Sequence, residues 1–172
     1  MKIDLKQLKI QPQSIERFTI IELLPDTLFS GMGGRFLEPV RVDLKVSFTG
    51  QMYVGQGEVR TRLEFACSRC LTPHTFAIAE PLNLIMMDAG SQKPDDFKDD
   101  ALPVEQGEVD IEPGIIAAIF SVIPFNPLCN PECQGLCSGC GVNKNKEACR
   151  CREDNIDPRW EALKKLNQEG GE

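Results

Sequence analysis

The residues of this chain best suited to chemistry are its eight cysteines. Six of them, Cys129, Cys133, Cys137, Cys140, Cys149 and Cys151, crowd into the stretch CNPECQGLCSGCGVNKNKEACRC. The other two form a separate Cys-x-x-Cys, Cys67 and Cys70. Paired thiols at two- to four-residue spacing are metal ligands by habit, because two thiolates so spaced reach one ion and two such pairs close a tetrahedron. Cys137-Ser138-Gly139-Cys140-Gly141 has the form of a metal knuckle, in which Gly141 permits the tight turn that aims backbone N–H groups at sulfur. Cys149 and Cys151 arrive soon after and can close that site from the other side. Cys129 and Cys133 then need a mate, and Cys67 and Cys70 are what remains. This predicts two zinc ions per chain, the second clipping the C-terminal module to a distant part of the chain. His74 lies close enough to Cys70 to replace a cysteine, but after Pro73 it reads as an exposed turn residue.

The elements that must position these thiols are β-rich. Val40, Val42, Leu44, Val46 and Phe48 alternate with Arg41, Asp43, Lys45 and Ser47, the period of a half-buried strand. Val59, Thr61, Leu63 and Phe65 repeat it and run straight into Cys67. Phe76 and Ile78, then Leu82, Leu84 and Met86, predict two further strands broken at Pro81. The Gly55-Gln56-Gly57 segment reads as a break, residues 14–24 fit helix or strand, and the opening MKIDLKQL fits a strand. In IEPGIIAAIFSVIPF, Pro113 suits a first helical turn and apolar residues lie nearly all round, so a buried helix is expected at about 112–123. The expected fold is α+β: an antiparallel β-sheet or partly closed barrel with this helix, over 1–126, and a zinc-clamped cysteine module over 127–172. In the tail, Asp157 as cap and Pro158 at the first position predict a C-terminal helix with Trp160, Leu163 and Leu166 near one face. Trp160 there serves packing or a partner.

Net charge is −7, and the stretch from Asp88 to Glu112 carries all of it, with nine acids against Lys93 and Lys98. Its low hydrophobicity predicts a loop over 88–110. Asp95, Asp96, Asp99 and Asp100 within it could receive a basic partner, although charge runs are more often simply solvated. Tetrathiolate zinc sites would add further negative charge. Broad, unaided nucleic-acid binding is therefore disfavoured, whereas a basic protein or a small local RNA contact is compatible.

No apolar run approaches the ~18 residues of a membrane span, and MKIDLKQLKI lacks the apolar core of a secretion signal. The expected compartment is the reducing cytoplasm, where structural disulfides are rare. Catalysis is not expected. Closed four-cysteine sites leave no open metal position for water, the single histidine offers little proton transfer, and nucleophile-elbow, metalloprotease and phosphate-loop motifs are absent. Gly31, Gly33 and Gly34 mark a turn. Cys133, Cys137 and Cys140 match the cluster spacing of radical S-adenosylmethionine enzymes, but the chain is too short beyond Cys140 for their partial barrel. A rubredoxin-like or iron–sulfur redox protein and a zinc-stabilised adaptor are the competing classes.

The chain resembles the YceD family, the large ribosomal RNA subunit accumulation proteins. The likeness rests on Cys67-Ser68-Arg69-Cys70-Leu71, on Pro127-Leu128-Cys129 with Cys133-Gln134-Gly135-Leu136-Cys137 and Cys140-Gly141, and on Asp157-Pro158-Arg159-Trp160. It implies a cytosolic or plastid factor needed for large-subunit ribosomal RNA to accumulate. The implied partners are a large-subunit precursor, its RNA or a basic ribosomal protein, with no membrane and no small-molecule substrate. Shorter-tailed relatives keep the first Cys-x-x-Cys with a pair near Cys129 and Cys133, which implies the grouping Cys67, Cys70, Cys129, Cys133 apart from Cys137, Cys140, Cys149, Cys151.

Overall fold

The computed structural model describes residues 1–11, 14–90 and 101–151. Asp95, Asp96, Asp99, Asp100 and Trp160, with the helix expected around the last, lie outside the described residues.

Among the described residues, eight strands make one nearly closed, barrel-like sheet with two α-helices. The strands are β1 (Lys2–Asp4), β2 (Ile15–Glu22), β3 (Gly34–Phe36), β4 (Val40–Phe48), β5 (Tyr53–Ala66), β6 (Pro73–Asp88), β7 (Leu102–Glu105) and β8 (Glu108–Asp110). The helices are α1 (Lys6–Ile10) and α2 (Glu112–Val122). The sheet order is β1-β8-β7-β6-β5-β4-β2, with β3 also on β5. All pairs are antiparallel except β6 with β7, so the sheet is antiparallel only in the main.

The alternation expected of β4 and β5 is present: Val40, Val42, Leu44, Val46, Val59, Thr61, Leu63 and Phe65 are buried, and Arg41, Asp43, Lys45, Arg60, Arg62 and Glu64 face outward. Residues 15–22 resolve as strand because β2 pairs with β4 along its whole length. Only Lys2–Asp4 of the opening is strand; Lys6–Ile10 is helical and buries Leu8.

Two expected breaks do not occur. β5 runs through Gly55 and Gly57, and a Cβ at Gly57 would collide with the backbone of Asp43, so the glycine permits close approach of β4 rather than ending the strand. β6 runs through Pro81, which pairs with Glu58, because β7 joins β6 only over Met86–Asp88. Over Pro81 the strand has a strand neighbour on one side, and a missing N–H is tolerated there.

The loop expected over 88–110 is corrected at its C-terminal end. β7 and β8 form a hairpin whose two turn residues, Gln106 (φ 52°) and Gly107 (φ 82°), both have positive φ, the geometry of a tight hairpin turn. Val104 and Val109 bury its inner face.

α2 lies where the sequence places it but is buried along one side only: Ile115 and Ile119 are buried, whereas Pro113, Ala117 and Ser121 are exposed. Gly114 lets the helix approach Leu84 of β6. Phe29 packs against Phe36, Phe65 and Phe120, with ring centroids 4.9, 5.5 and 5.5 Å away. This aromatic knot ties α2 to the end of β5, two residues before Cys67. The first cysteine pair therefore hangs from one of the best-packed points of the core. Among the described residues, no helix is long and apolar enough to cross a membrane.

Candidate metal centres

The end of β5 sets the first knuckle. The Leu71 N–H donates to the Cys67 carbonyl at 2.9 Å, and the Cys67 N–H donates to the Thr72 carbonyl at 3.0 Å. Leu71 sits at φ 58° to make the turn. The second knuckle repeats this hydrogen-bond pattern. The Gly141 N–H donates to the Cys137 carbonyl at 2.9 Å, the Cys137 N–H donates to the Val142 carbonyl at 2.8 Å, and Gly141 takes φ 74°. The two Cys-x-x-Cys segments are thus one local motif used twice.

The structure brings together Cys67, Cys70, Cys129 and Cys133, with all four Sγ atoms within 4.8 Å of one another, and likewise Cys137, Cys140, Cys149 and Cys151. In the first group Sγ of Cys67 is 3.7 Å from Cys133, and Sγ of Cys70 is 3.6 Å from Cys129. In the second, Cys149 lies 3.2 Å from Cys137 and 3.7 Å from Cys140. All eight thiols are free. Four sulfurs bound tetrahedrally at a metal–sulfur distance of about 2.3 Å stand roughly 3.8 Å apart, so these spacings fit a four-sulfur ion cage. The donor set suits zinc and also accepts iron. His74 is in β6, paired with Phe65, and belongs to neither group.

Hydrogen bonds and burial set the thiols of each group apart in acidity. Burial pushes the Cys67 thiol up, but N–H groups of Cys129, Arg69 and Cys70 outweigh it and draw it down to about 6. Hydrogen bonds led by the Cys140 N–H lower Cys137 to about 6. The Cys70 sulfur raises Cys129 to about 12, and Cys140 and its neighbours do the same to Cys151. Hydrogen bonds led by those of Thr72 lower Cys70 as well, so thiolate is favoured at Cys67 and Cys70 in the first group and at Cys137 in the second, and a divalent cation is needed to offset the charge of all four sulfurs.

The two cages differ in setting. In the first, Cys67, Cys70 and Cys133 are buried with Leu128 against them and Cys129 is exposed, whereas in the second Cys137 alone is buried and Cys140 and Cys151 are exposed. Other contacts lock the module onto the sheet. Ser68 donates through N–H and Oγ to the Pro127 carbonyl at 2.8 and 3.0 Å, the Leu136 N–H donates to the Arg69 carbonyl at 2.9 Å, and Arg69 Nη1 donates to the Cys133 carbonyl at 2.9 Å. The segment between the ligand pairs of the second cage, a polar turn to the eye, reaches the first. Asn145 Nδ2 donates to Cys133 Sγ at 3.3 Å while its Oδ1 accepts from the Gln134 N–H at 2.8 Å, and Asn143 Nδ2 donates to Thr72 Oγ1 at 3.3 Å. These outer partners were missed in the sequence. The available signal was the Asn-x-Asn spacing, which lets Asn143 Oδ1 take the Asn145 N–H at 3.0 Å and so fix the turn.

Leu71 offers a test of the knuckle geometry. It is 64% exposed, and a bulky residue at positive φ costs roughly 1–2 kcal/mol. Leu71→Gly should raise the chemical-denaturation midpoint, with a net gain of up to about 1 kcal/mol after the glycine's own entropic cost. A lowered midpoint would mean that the leucine side chain, not the turn, matters there.

The profile of the family described as large ribosomal RNA subunit accumulation protein YceD matches residues 55–167, the span that holds all eight cysteines. The chain belongs to the YceD family. It is 32% identical over 123 residues to an uncharacterised protein of Mycobacterium tuberculosis, covering 71% of this chain and 59% of that protein. It is 29% identical over 174 residues to a protein of Zea mays named large ribosomal RNA subunit accumulation protein YCED homolog 1, chloroplastic, covering 84% of this chain and 59% of the maize protein. The Arabidopsis thaliana protein of the same name is 25% identical over 158 residues, covering 76% and 49%. The chain thus spans about three fifths of the length of the mycobacterial and maize relatives. No solved structure matches.

Proposed function

We propose that this chain is a non-catalytic assembly factor for the large ribosomal subunit, required for its RNA to accumulate and held in shape by two zinc ions. The family match over residues 55–167, with plant homologues named for that role, is the observation that carries the reading. The cages support the non-catalytic part. Each gathers four cysteines, and a tetrahedral ion held by all four has no vacant position for water or substrate. The zinc ions then act on structure alone: they bind the 129–151 module to the end of β5 and present one fixed surface. The factor works where ribosomes are made, in a compartment reducing enough to keep eight thiols free. Its partners are a large-subunit precursor, through RNA or a basic ribosomal protein, and the acid excess between Asp88 and Glu112 suits the latter.

Sedimentation of a lysate containing the tagged chain tests this. The protein should travel with large-subunit precursors, and depletion should lower large-subunit RNA relative to small-subunit RNA. A protein confined to the light fractions, with an unchanged RNA ratio on depletion, would overturn the reading.

A further inference from the structure

The outer face of the sheet carries ordered rows created by strand register. Arg17 of β2 stands opposite Lys45 of β4, Lys45 opposite Gln56 of β5, and Gln56 opposite Asn83 of β6. All four side chains are exposed. The adjoining row on one side is Thr19, Asp43, Glu58 and Pro81, and beyond it lie Ile21, Arg41, Arg60 and Ala79. Asp43 and Glu58 are already matched: Arg41 Nε holds Asp43 at 2.9 Å and Arg60 Nη2 holds Glu58 at 2.6 Å. Arg62 pairs with Glu38 and Arg35 with Glu64.

Among the cations of β2, β3, β4 and β5, Arg17 and Lys45 are the two without an acidic partner among the described residues, yet they sit directly across from one another. Like charges so placed destabilise a sheet, and nothing in the fold requires them. They border a depression of about 530 Å³ that Thr19, Gln56 and the side-chain-free Gly57 help to line. On the other side of the cationic row lie Ile15, Ser47, Val54 and Ile85, apolar at every position but Ser47. Ile15 is 65% exposed.

We propose that these two rows form an RNA-binding strip, with backbone phosphates on Arg17, Lys45, Gln56 and Asn83 and the nucleosides against Ile15, Val54 and Ile85. At strand spacings of 4.7–4.9 Å the four-residue row is roughly 14 Å long, room for a short run of phosphates. A single nucleic-acid strand has this anatomy, a line of anions along one edge and apolar base faces along the other. An acidic protein surface does not, since it would also set carboxylates over Asp43 and Glu58. The strip is narrow because the rest of the chain is acidic, so it grips RNA locally without general affinity for polyanions. The proposal rests on the ribosome-assembly reading and adds the surface through which RNA is held.

The test uses the full, zinc-loaded chain and a labelled twelve-nucleotide unstructured RNA, followed by fluorescence polarisation across a salt series. Arg17→Gln with Lys45→Gln should weaken binding at least about tenfold at low salt, and should flatten the slope of log affinity against log salt by about 1.4, two phosphates' worth for a single strand. Ile15→Ser should weaken binding without changing the slope. Arg60→Gln, two rows away and ion-paired, should do neither. Unchanged circular dichroism and zinc content establish that the variants are folded. An unchanged affinity and slope in the double variant would overturn the strip, as would a wild-type chain that fails to bind the RNA. Equally tight binding of polyglutamate would overturn the choice of RNA. If the double variant still sediments with subunit precursors, the strip is wrong and the assembly reading stands.

Discussion

Stripping the metal with a strong chelator should release two zinc ions per chain and unfold residues 127–151 while the sheet survives. The asymmetry comes from where apolar burial lies. Among the described residues, the main core runs from Met1 to Ile123 and takes none from 127–151. The second cluster of described residues holds Cys67, Cys70 and Cys133, with Leu128 packed against it. A segment this short cannot offset its chain entropy with so small a core and needs a staple. Structural zinc supplies about 10–16 kcal/mol of apparent binding free energy in small zinc modules, far more than the module's hydrogen bonds to Ser68, Arg69 and Thr72. Far-UV circular dichroism should therefore change little, while limited proteolysis opens the region after Pro127.

The same reaction must depend on pH. In the metal-free protein Cys129 and Cys151 are both pushed up to about 12, so at neutral pH they hold protons that the ion has to displace. Protons compete with metal, so zinc affinity should fall as the pH is lowered and rise as it is raised. Zinc titrations at pH 6 and 8 check this, and equal affinities would contradict the thiolate assignment.

Cys70→Ser and Cys137→Ser should each leave about one zinc per chain but fail in different places. Cys70 lies just beyond β5, so losing its thiolate frees Cys129 and Cys133 from the sheet and exposes the backbone around 127–136 to protease. The loss of affinity at that cage should exceed the roughly 10–100-fold typical of removing an outer partner. Cys137 belongs to the exposed cage, and its loss should open 137–151 with Cys129 and Cys133 still clamped. The damage should not stop cleanly there, because Asn145 and Asn143 extend from that segment to Cys133 and Thr72. Cys137→Ser should therefore also loosen the remaining ion, seen as faster zinc exchange, whereas Cys70→Ser should affect the outer cage less. Identical protease patterns in the two variants would mean that the cysteines are grouped differently.

Much of this was legible from local pattern. Alternation along β4 and β5 is a period-two signal contained in each segment, and the Cys-x-x-Cys pairs announce themselves by spacing. The union of Cys67 and Cys70 with Cys129 and Cys133 was reached by elimination and by resemblance, since nothing near either pair encodes a contact some sixty residues away. The β7–β8 hairpin was hidden because Val104 and Val109 are its only buried side chains and acids surround them. Pro81 and Gly57 misled because their tolerance depends on which neighbour lies on which side. The row of Arg17, Lys45, Gln56 and Asn83 was invisible for the same reason: its members are scattered in sequence and meet only through register.

X-ray absorption at the metal edge, with metal and free-thiol analysis of the same sample, tests most directly whether the eight cysteines build two closed metal cages. Two zinc ions per chain are expected, each with four sulfurs at about 2.3 Å and no oxygen or nitrogen ligand. Iron with visible absorbance, a sulfur–oxygen shell with an open position, or metal-free protein with paired disulfides would contradict this.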